Sequence, residues 1–379
     1  MKIIVAPDSY KGSLTAIEVG ATIKKAFLAE MKDVTIDVIP MADGGEGTLD
    51  AIFSTTKGTR VSLDATGPLQ ERILTEYGVL DDDTVVIEMA KVAGLPMVPA
   101  DQRNPMNTTT IGVGELVLHA IDAGYRNFMI GIGGSATNDG GFGMLHALGV
   151  LFLDVNHQPV TPIAGNLKLI TIVSYANMDS RLRQCCIKVA ADVENYLCGP
   201  QGASYVFGPQ KGASDIQIAE LDQSLQHYAD LIETHLKQGF RNKRGAGAAG
   251  GLGFAFLTIG AELIPGSKMI AEATGLTERI KSADWVITGE GQSDYQSLYG
   301  KAPIYVAKLA KEYNVKVILI SGSLGNGYEH LYDYFTSCHS IIPGPVTLEQ
   351  CMINASTYLF ETARNIARLM NSISFMKKR

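Results

Sequence analysis

Acidic, basic and glycine residues form five short clusters, each at the predicted end of a strand. The clusters lie at residues 8–13, 42–47, 133–141, 191–195 and 288–294. Glycines allow backbone amides to approach an anion closely, and carboxylate oxygens are the ligands that hard cations prefer. The combination of glycine loops with carboxylates predicts chemistry on a phosphate group in the presence of a divalent cation.

Lys11 lies in the first cluster, close to Asp8 and Ser9 at the tip of the first predicted strand. Ligands bind at the carboxyl ends of parallel strands, so Lys11 is placed to neutralise a transferring phosphoryl group. Asp43, in the second cluster, follows the next strand and is a second catalytic candidate. The ordinary structural alternatives are a solvated surface lysine and a helix N-cap.

Residues 133–141 form the richest cluster, because they follow an apolar strand and precede a predicted helix. Their small side chains let successive N–H groups point at a phosphate. Asn138 or Asp139 can either cap the helix or hold a cation. A plain glycine turn with such a cap is the structural alternative.

Gly131, Gly133 and Ala136 also match the spacing of a dinucleotide fingerprint. In that fingerprint the glycine turn runs directly into the helix, whereas residues 137–141 intervene here. A carboxylate beside a pyrophosphate would also repel it in the absence of a metal ion. The pattern therefore favours a phosphate loop over a nicotinamide site.

A second glycine-rich run, at residues 245–253, precedes an apolar helix and leaves two interpretations equally open. It can surround phosphates with backbone amides, or it can permit close packing of the helix. The chain contains no G-x-x-x-x-G-K-[ST] motif, so a Walker-type loop is excluded. The H-R-D and D-F-G motifs of protein kinases are missing as well.

Asp192, Glu194 and Asn195 end a predicted buried strand, and Glu290 and Asp294 follow another. One carboxylate of the first group can accept the proton of an attacking hydroxyl or bind Mg²⁺. Oxygen ligands suit Mg²⁺ better than Zn²⁺, and the seven histidines show no metal-ligand spacing. The carboxylates therefore predict a magnesium site.

The pattern of strands and helices changes twice along the chain. Residues 1–58 are predicted to alternate as β-α-β-α, with a strand at 3–6 and a helix at 16–30. The same alternation of strands and helices returns after residue 283. Such alternation predicts a parallel sheet with right-handed crossovers. Three closely spaced strand-like runs between residues 59 and 90 are instead antiparallel in character.

We therefore predict an α/β protein of two domains. Residues 1–58 and 284–379 form a discontinuous Rossmann- or flavodoxin-like parallel-sheet domain, which is interrupted by an inserted mixed α/β domain at residues 59–283. The cleft between the two domains is the predicted active site, because ligand pockets occur preferentially at such boundaries.

Length and composition narrow the class of protein. With 379 residues the chain is long enough for two domains, and its net charge of −7 argues against a nucleic-acid partner. The five cysteines form no C-x-x-C pair, which is typical of reduced thiols. No signal peptide begins the chain, and no apolar run approaches the ~20 residues that cross a bilayer. We expect a cytoplasmic protein without a membrane partner, and we leave a homo-oligomer open.

Six motifs follow one another along the whole chain. They are P-D-S-Y-K-G-S at 7–13, A-D-G-G-E-G at 42–47, G-G-S-A-T-N-D-G-G at 133–141, F-G-P-Q-K-G-A at 207–213, G-A-G-A-A-G-G-L-G at 245–253 and T-G-E-G-x-x-D at 288–294. In this order they resemble the bacterial glycerate kinase type I family, from the first residue to about residue 370.

The resemblance implies transfer of the γ-phosphoryl group of ATP to D-glycerate, which gives 2-phospho-D-glycerate, with Mg²⁺ as the partner of ATP. It also implies a Rossmann-like domain split by an insert. The chain departs from the family pattern at Gln292, where the family commonly has Arg, and at Glu194, where it commonly has Asp. The first change removes a planar cation that could bind a phosphate or carboxylate. Both changes bear on substrate range and efficiency more than on reaction type.

The clusters and the resemblance together assign roles to individual residues. The predicted catalytic residues are Lys11, Asp43 and Asp192, and the predicted metal ligands are Asp139, Glu290 and Asp294. The predicted substrate- or nucleotide-binding residues are Asp8, Ser9, Gly44, Gly45, Gly133, Gly134, Ser135, Thr137, Asn138, Asn195, Lys211, Gly247 and Gly250. Two other functions stay open: a nicotinamide-dependent oxidoreductase acting on a small hydroxy acid, and a non-catalytic regulator that binds nucleotide or glycerate.

Overall fold

A computed structural model describes residues 1–376; residues 377–379, at the end of the predicted first domain, lie outside the described residues. The strands are β1 (Lys2–Val5), β2 (Thr35–Val38), β3 (Gly58–Thr66), β4 (Arg72–Leu80), β5 (Thr84–Glu88), β6 (Asn127–Gly131), β7 (Leu151–Leu153), β8 (Ile172–Ser174), β9 (Cys186–Ala190), β10 (Glu262–Ile264), β11 (Trp285–Thr288), β12 (Gln292–Ser293), β13 (Lys316–Ser321), β14 (Ser323–Leu324) and β15 (Ser337–Ser340). The α-helices are α1 (Ala16–Glu30), α2 (Thr48–Phe53), α3 (Ala90–Ala93), α4 (Ile111–Asp122), α5 (Phe142–Ala147), α6 (Ala203–Phe207), α7 (Asp215–Leu236), α8 (Ala248–Thr258), α9 (Gly266–Thr274), α10 (Leu276–Lys281), α11 (Ala302–Glu312), α12 (Leu348–Ile353) and α13 (Ala355–Met376).

The internal contacts divide the chain into two units. Unit 1 contains residues 1–43, 50–56 and the chain from 267 onward, and unit 2 contains residues 44–49 and 57–266. This division departs from the predicted boundaries at 58/59 and 283/284 in two places.

Residues 267–283 belong to unit 1, because Arg279 on α10 donates a hydrogen bond to Asp37 on β2 at 2.7 Å. Residues 44–49 belong to unit 2, because the Glu88 carboxylate at the end of β5 accepts hydrogen bonds from the N–H groups of Gly47 and Leu49. Both contacts join residues that are far apart in sequence, which is why the periodicity of strands and helices did not reveal them.

Unit 1 contains a parallel sheet of five strands in the order β15-β13-β11-β1-β2. Ile3 pairs with Trp285 in parallel register, so the first strand shares a sheet with strands that come after residue 283. Helix α1 begins at a capping box, in which Thr15 and Glu18 bond each other's backbone N–H. Its buried face includes Val19 and Ile23, which share one apolar core with residues of β1 and α13.

Unit 2 contains a mixed sheet of six strands in the order β10-β9-β6-β5-β4-β3. Strands β3, β4 and β5 pair antiparallel, whereas β5, β6, β9 and β10 pair parallel. A larger apolar core lies in this unit, and its aromatic residues include Phe142 and Phe152, whose ring centroids are 4.7 Å apart. Among the described residues, no helix is both long and apolar enough to cross a membrane.

Candidate active site

The loop after β1 is anchored by a buried tyrosine and presents a cation. The Tyr10 hydroxyl donates to the carbonyl of Ile320 at 2.6 Å, and Tyr10 is 2% exposed. The Lys11 side chain, in contrast, is 76% exposed, and its Nζ lies 2.6 Å from Oδ2 of Asp43. Two of the residues predicted to be catalytic therefore form an ammonium–carboxylate pair beyond the carboxyl ends of β1 and β2.

Strand β1 is also where the order of the sheet in unit 1 reverses. The chain passes from β1 to β2 on one side, and β11, β13 and β15 extend the sheet on the other side. In open α/β sheets, such a switch point forms a crevice beyond the carboxyl ends of the strands, where ligands bind. Asp8 follows β1 and Glu290 follows β11, and the Asp8 N–H donates to the Gly289 carbonyl at 2.8 Å. Both carboxylates thus belong to the switch point.

Asp8 is partly buried, and this burial is the largest of the influences that raise the pKa of its carboxyl from 3.8 to about 7. The negative charge of Asp43 raises the pKa further, and Glu290 adds a smaller contribution in the same direction. The Ser9 N–H donates to Oδ1 of Asp8 at 2.6 Å, and this bond and the Lys11 ammonium lower the pKa. Near neutral pH, Asp8 consequently exchanges a proton readily.

Glu290 was predicted to bind a metal, but its oxygens already have donors. It is 6% exposed, and Oε1 accepts hydrogen bonds from the hydroxyls of Ser293 and Ser297 at 3.0 and 2.7 Å. Its Oε2 lies 2.9 Å from Nζ of Lys301. These three partners hold the Glu290 carboxylate in one position and occupy its oxygens.

Asp294, the second predicted ligand of unit 1, caps a short 3-10 helix at Tyr295–Tyr299. Its Oδ1 accepts a hydrogen bond from the N–H of Gln296 at 2.8 Å. Nε2 of Gln292, at the position where the family commonly has Arg, lies 3.5 Å from Oδ2 of Asp294. Gln292 therefore contacts the capping residue with a neutral side chain.

In unit 2, Asp139 is fully buried, and both oxygens of its carboxylate accept hydrogen bonds from neighbouring residues. Oδ2 accepts from the N–H and the hydroxyl of Thr110 at 2.9 and 2.8 Å and from the N–H of Gly143 at 3.1 Å. Oδ1 accepts from the N–H of Gly141 at 3.1 Å. Burial raises the pKa of Asp139, and these hydrogen bonds lower it. The carboxylate thereby joins the beginnings of α4 and α5.

The residues predicted as metal ligands do not fit a protein metal site. Within residues 1–376, no group of three or more His, Cys, Asp or Glu side chains could hold a metal ion. The oxygens of Asp139 and Glu290 accept hydrogen bonds from neighbouring residues, and Asp294 caps a helix turn. Magnesium that arrives on nucleotide phosphates needs only one or two protein carboxylates, so no such cage is required for it.

Lys211 supports the glycine loop at residues 133–141. It is 2% exposed, and its Nζ donates to the Ser135 hydroxyl at 2.8 Å and to the Thr137 carbonyl at 2.6 Å. Burial lowers the pKa of Lys211 from 10.5 to about 7, while the charge of Asp139 raises it. Thr137 and Asn138 are also fully buried, and Asn138 donates through its amide nitrogen to a serine hydroxyl on α6. These predicted ligand-binding side chains are thus part of the interior.

Glycines let the loop at residues 44–49 approach the strand ends of unit 2. The N–H of Gly133 donates to the Gly44 carbonyl at 3.0 Å, and a Cβ on Gly133 would lie 2.7 Å from the Cα of Gly45. Gly134 has a φ of +75°. Glu88, which accepts from this loop, was not predicted, although a lone acid at the end of an apolar strand was a signal for it.

The glycine run at residues 245–253 is explained by close packing. A Cβ on Gly250 would lie 2.0 Å from the Thr137 carbonyl oxygen, and a Cβ on Gly247 would lie 2.2 Å from the Tyr196 carbonyl oxygen. Residues 249–251 have φ angles of 53°, 68° and 93°, a left-handed turn that favours glycine. Of the two interpretations left open by the sequence, these contacts favour packing.

Asp192, the third residue predicted to be catalytic, follows β9. Its Oδ1 accepts a hydrogen bond from the first N–H of α9 at 2.7 Å. Asn195 donates to the carbonyl of Gln201 at 2.8 Å. Glu194, the other departure from the family pattern, pairs with Arg244 at 3.0 Å, and both side chains are about three-quarters exposed. This strand end therefore carries a helix-capping carboxylate and a surface ion pair.

Comparison with known proteins establishes the family. The sequence profile described as Glycerate kinase family matches residues 3–371. The chain belongs to the glycerate kinase family. It is 46% identical to a glycerate kinase of Bacillus subtilis and 44% identical to the glycerate 2-kinase of Escherichia coli, over 97% of each chain in both cases. A crystal structure assigned to glycerate kinase 2 from Salmonella typhimurium LT2 matches with a TM-score of 0.86 at 43% identity, over 99% of both chains.

The predicted family, the α/β fold class and the class of enzyme, a kinase, are thereby confirmed. The match gives no support to an oxidoreductase or to a non-catalytic regulator. The individual residue roles stay predictions. Of the predicted site residues, Lys11, Asp43 and Asp8 lie together in unit 1, and Lys211, Ser135 and Thr137 lie together in unit 2.

Proposed function

We propose that this protein transfers the γ-phosphoryl group of ATP to the 2-hydroxyl of D-glycerate and releases ADP and 2-phospho-D-glycerate. The observation that carries the proposal is the family match over residues 3–371, together with the 44% identity to the glycerate 2-kinase of Escherichia coli. That relative's name supports glycerate as the acceptor and its 2-position as the site of transfer.

The exposed Lys11 ammonium is the group we assign to the transferring phosphoryl. Phosphoryl transfer depends mainly on positioning and on neutralising the charge of the phosphoryl oxygens. Lys11 lies in the loop after β1, which Tyr10 anchors to the Ile320 carbonyl. The Lys11 ammonium donates a hydrogen bond to Asp43 at 2.6 Å, and this bond fixes the direction of the ammonium. When bound together with the nucleotide, Mg²⁺ would reduce the negative charge of the phosphates.

The predicted cleft between the two domains stays a prediction, and so does the cytoplasmic location. The free thiols of all five cysteines are consistent with a reducing compartment.

A coupled assay tests both the substrate and the position of transfer. The protein is incubated with D-glycerate, ATP and Mg²⁺, and enolase is added without phosphoglycerate mutase. Phosphoenolpyruvate is expected, because enolase acts on the 2-phosphate. A matched reaction with enolase and mutase also detects the 3-phosphate. Product only in the second reaction would contradict the position of transfer, and no ATP consumption in either would contradict the kinase proposal.

A further inference from the structure

Three carboxylates and two lysines meet at the strand ends of unit 1, and one carboxylate differs from the others. Asp43 lies 2.6 Å from the Lys11 ammonium, and Glu290 lies 2.9 Å from the Lys301 ammonium. Asp8 forms no such ion pair within residues 1–376. Its hydrogen bond is to the Ser9 N–H, through Oδ1 at 2.6 Å, and its other oxygen has no bonded donor among those residues.

We propose that Asp8 is the base that accepts the proton of the substrate hydroxyl during phosphoryl transfer. This inference rests on the proposed function and adds a catalytic role at the same site. A proton acceptor must have an oxygen that is not committed to another donor and must be held rigidly beside the ligand crevice. Asp8 meets the first condition because one of its oxygens has no bonded donor among the described residues. It meets the second because its N–H is bonded to the Gly289 carbonyl at the switch point between β1 and β11.

In the proposed step, one bond to the γ-phosphorus forms and another breaks. The hydroxyl oxygen forms a bond to the γ-phosphorus, and the bond from that phosphorus to the bridging oxygen of ADP breaks. The hydroxyl proton passes to the free oxygen of Asp8, and ADP leaves with the electron pair. Lys11, whose ammonium lies 2.6 Å from Asp43 at the same strand ends, stabilises the charge on the phosphoryl oxygens.

The neighbouring charges suit Asp8 for this role near neutral pH. Burial raises the pKa of Asp8 most, the charges of Asp43 and Glu290 raise it further, and the Ser9 N–H and Lys11 lower it, which together give a pKa of about 7. Lys301 neutralises Glu290 at 2.9 Å, which limits the effect of that neighbour. A base works best when its pKa lies near the working pH.

Asp192 is the competing candidate from sequence, but its position differs. Its Oδ1 accepts the first N–H of α9 at 2.7 Å, which is the contact of a helix-capping residue. In the sheet of unit 2, strands β5, β6, β9 and β10 lie side by side in the same order as in the sequence. The strand order therefore does not reverse at β9, and no switch point lies there. The topological argument for a ligand crevice therefore favours Asp8.

The test measures kcat and the KM for ATP of Asp8→Asn and of the wild type from about pH 5.5 to about pH 9, a range on both sides of the pKa of Asp8. Asn keeps the shape but cannot accept the proton, so we expect kcat to fall by about 10²-fold or more, with the KM for ATP changed by less than about threefold. The wild-type activity should rise with pH through about 7, since only ionised Asp8 accepts a proton, and this acidic limb should disappear in the variant. Asp8→Glu should restore part of the activity.

Two further variants make the result specific. Asp37→Asn changes another partly exposed carboxylate of unit 1, which bonds Arg279, and should keep both the activity and the acidic limb. Thermal unfolding of every variant checks that it is folded. Retention of the limb in Asp8→Asn, or its loss in Asp192→Asn alone, would overturn the role of Asp8 while leaving the kinase proposal intact. A folded wild type that does not phosphorylate D-glycerate would instead refute the proposed function, and the role of Asp8 would fall with it.

Discussion

In both units, acidic and basic side chains lie near loops that follow parallel strands, but their surroundings differ. In unit 1, Lys11 is 76% exposed and Asp43 is 37% exposed, and Asp8 keeps an oxygen without a bonded donor among the described residues. In unit 2, Asp139 and Lys211 are buried and their polar atoms bond to the loops around them. The comparison shows that residue type at a strand end does not decide its role. Burial and the number of donors already present decide it.

The largest effect is expected from Lys11→Ala. Removing one preorganised donor to developing charge typically lowers kcat by about 10²–10³-fold. The stability of the fold should be nearly unchanged, because the side chain is mostly exposed and its ion pair is on the surface. Steady-state kinetics and urea unfolding measure the two quantities. Lys11→Arg is the matched control that keeps the charge, and an unchanged kcat in the alanine variant would return Lys11 to an ordinary surface residue.

Asp139→Ala should act on stability. The change leaves the N–H groups of Thr110, Gly141 and Gly143 buried without their acceptor, which we expect to cost about 3 kcal/mol of unfolding free energy. Urea unfolding measures the loss. Asp154→Ala, at a more exposed turn of the same unit, should cost less than about 1 kcal/mol. Unchanged stability combined with a higher magnesium requirement would restore Asp139 as a metal ligand.

Gly250→Ala tests whether the second glycine run is a packing element. A Cβ there would lie 2.0 Å from a carbonyl oxygen, at a φ of +68°. Gly47→Ala is the matched control, since its φ is +86° but nothing lies within 4 Å of its Cβ position. We expect the first variant to be about 2 kcal/mol less stable than the second, because it adds steric overlap to the same backbone strain. Equal stabilities with a raised KM for ATP would favour a phosphate loop.

The smallest effect concerns the stability of Asp8→Asn. A pKa that folding raises to about 7 means that the folded protein binds more protons than the unfolded one between about pH 4 and 7, so wild-type stability falls as pH rises through that window. Asn removes this loss. After allowance for solvent screening, the variant should therefore be on the order of 1 kcal/mol more stable than the wild type above pH 7. The difference should vanish near pH 4, and a constant difference at every pH would contradict the raised pKa.

Much of the fold was predictable because it depends on local patterns. Helix α1 begins and ends at the predicted residues 16 and 30, where Thr15 and Glu18 form a capping box. The buried face of α1 was less predictable, since Ile17 and Leu28 are 40% and 49% exposed even though they are apolar. Which face of a helix is buried depends on the elements that pack against it, and those come from distant parts of the chain.

The candidate site likewise has features that the sequence predicts and features that only the structure reveals. The sequence by itself determined which loops follow parallel strands, and so it identified Lys11, Asp43 and Asp8 as residues at strand ends. Only the tertiary structure decided that Asp139 and Lys211 are internal supports, because their partners Thr110 and Ser135 are 29 and 76 residues away. A carboxylate or an ammonium loses its freedom to bind a ligand when folding surrounds it with donors or acceptors. That loss depends on contacts that residue type and spacing do not reveal.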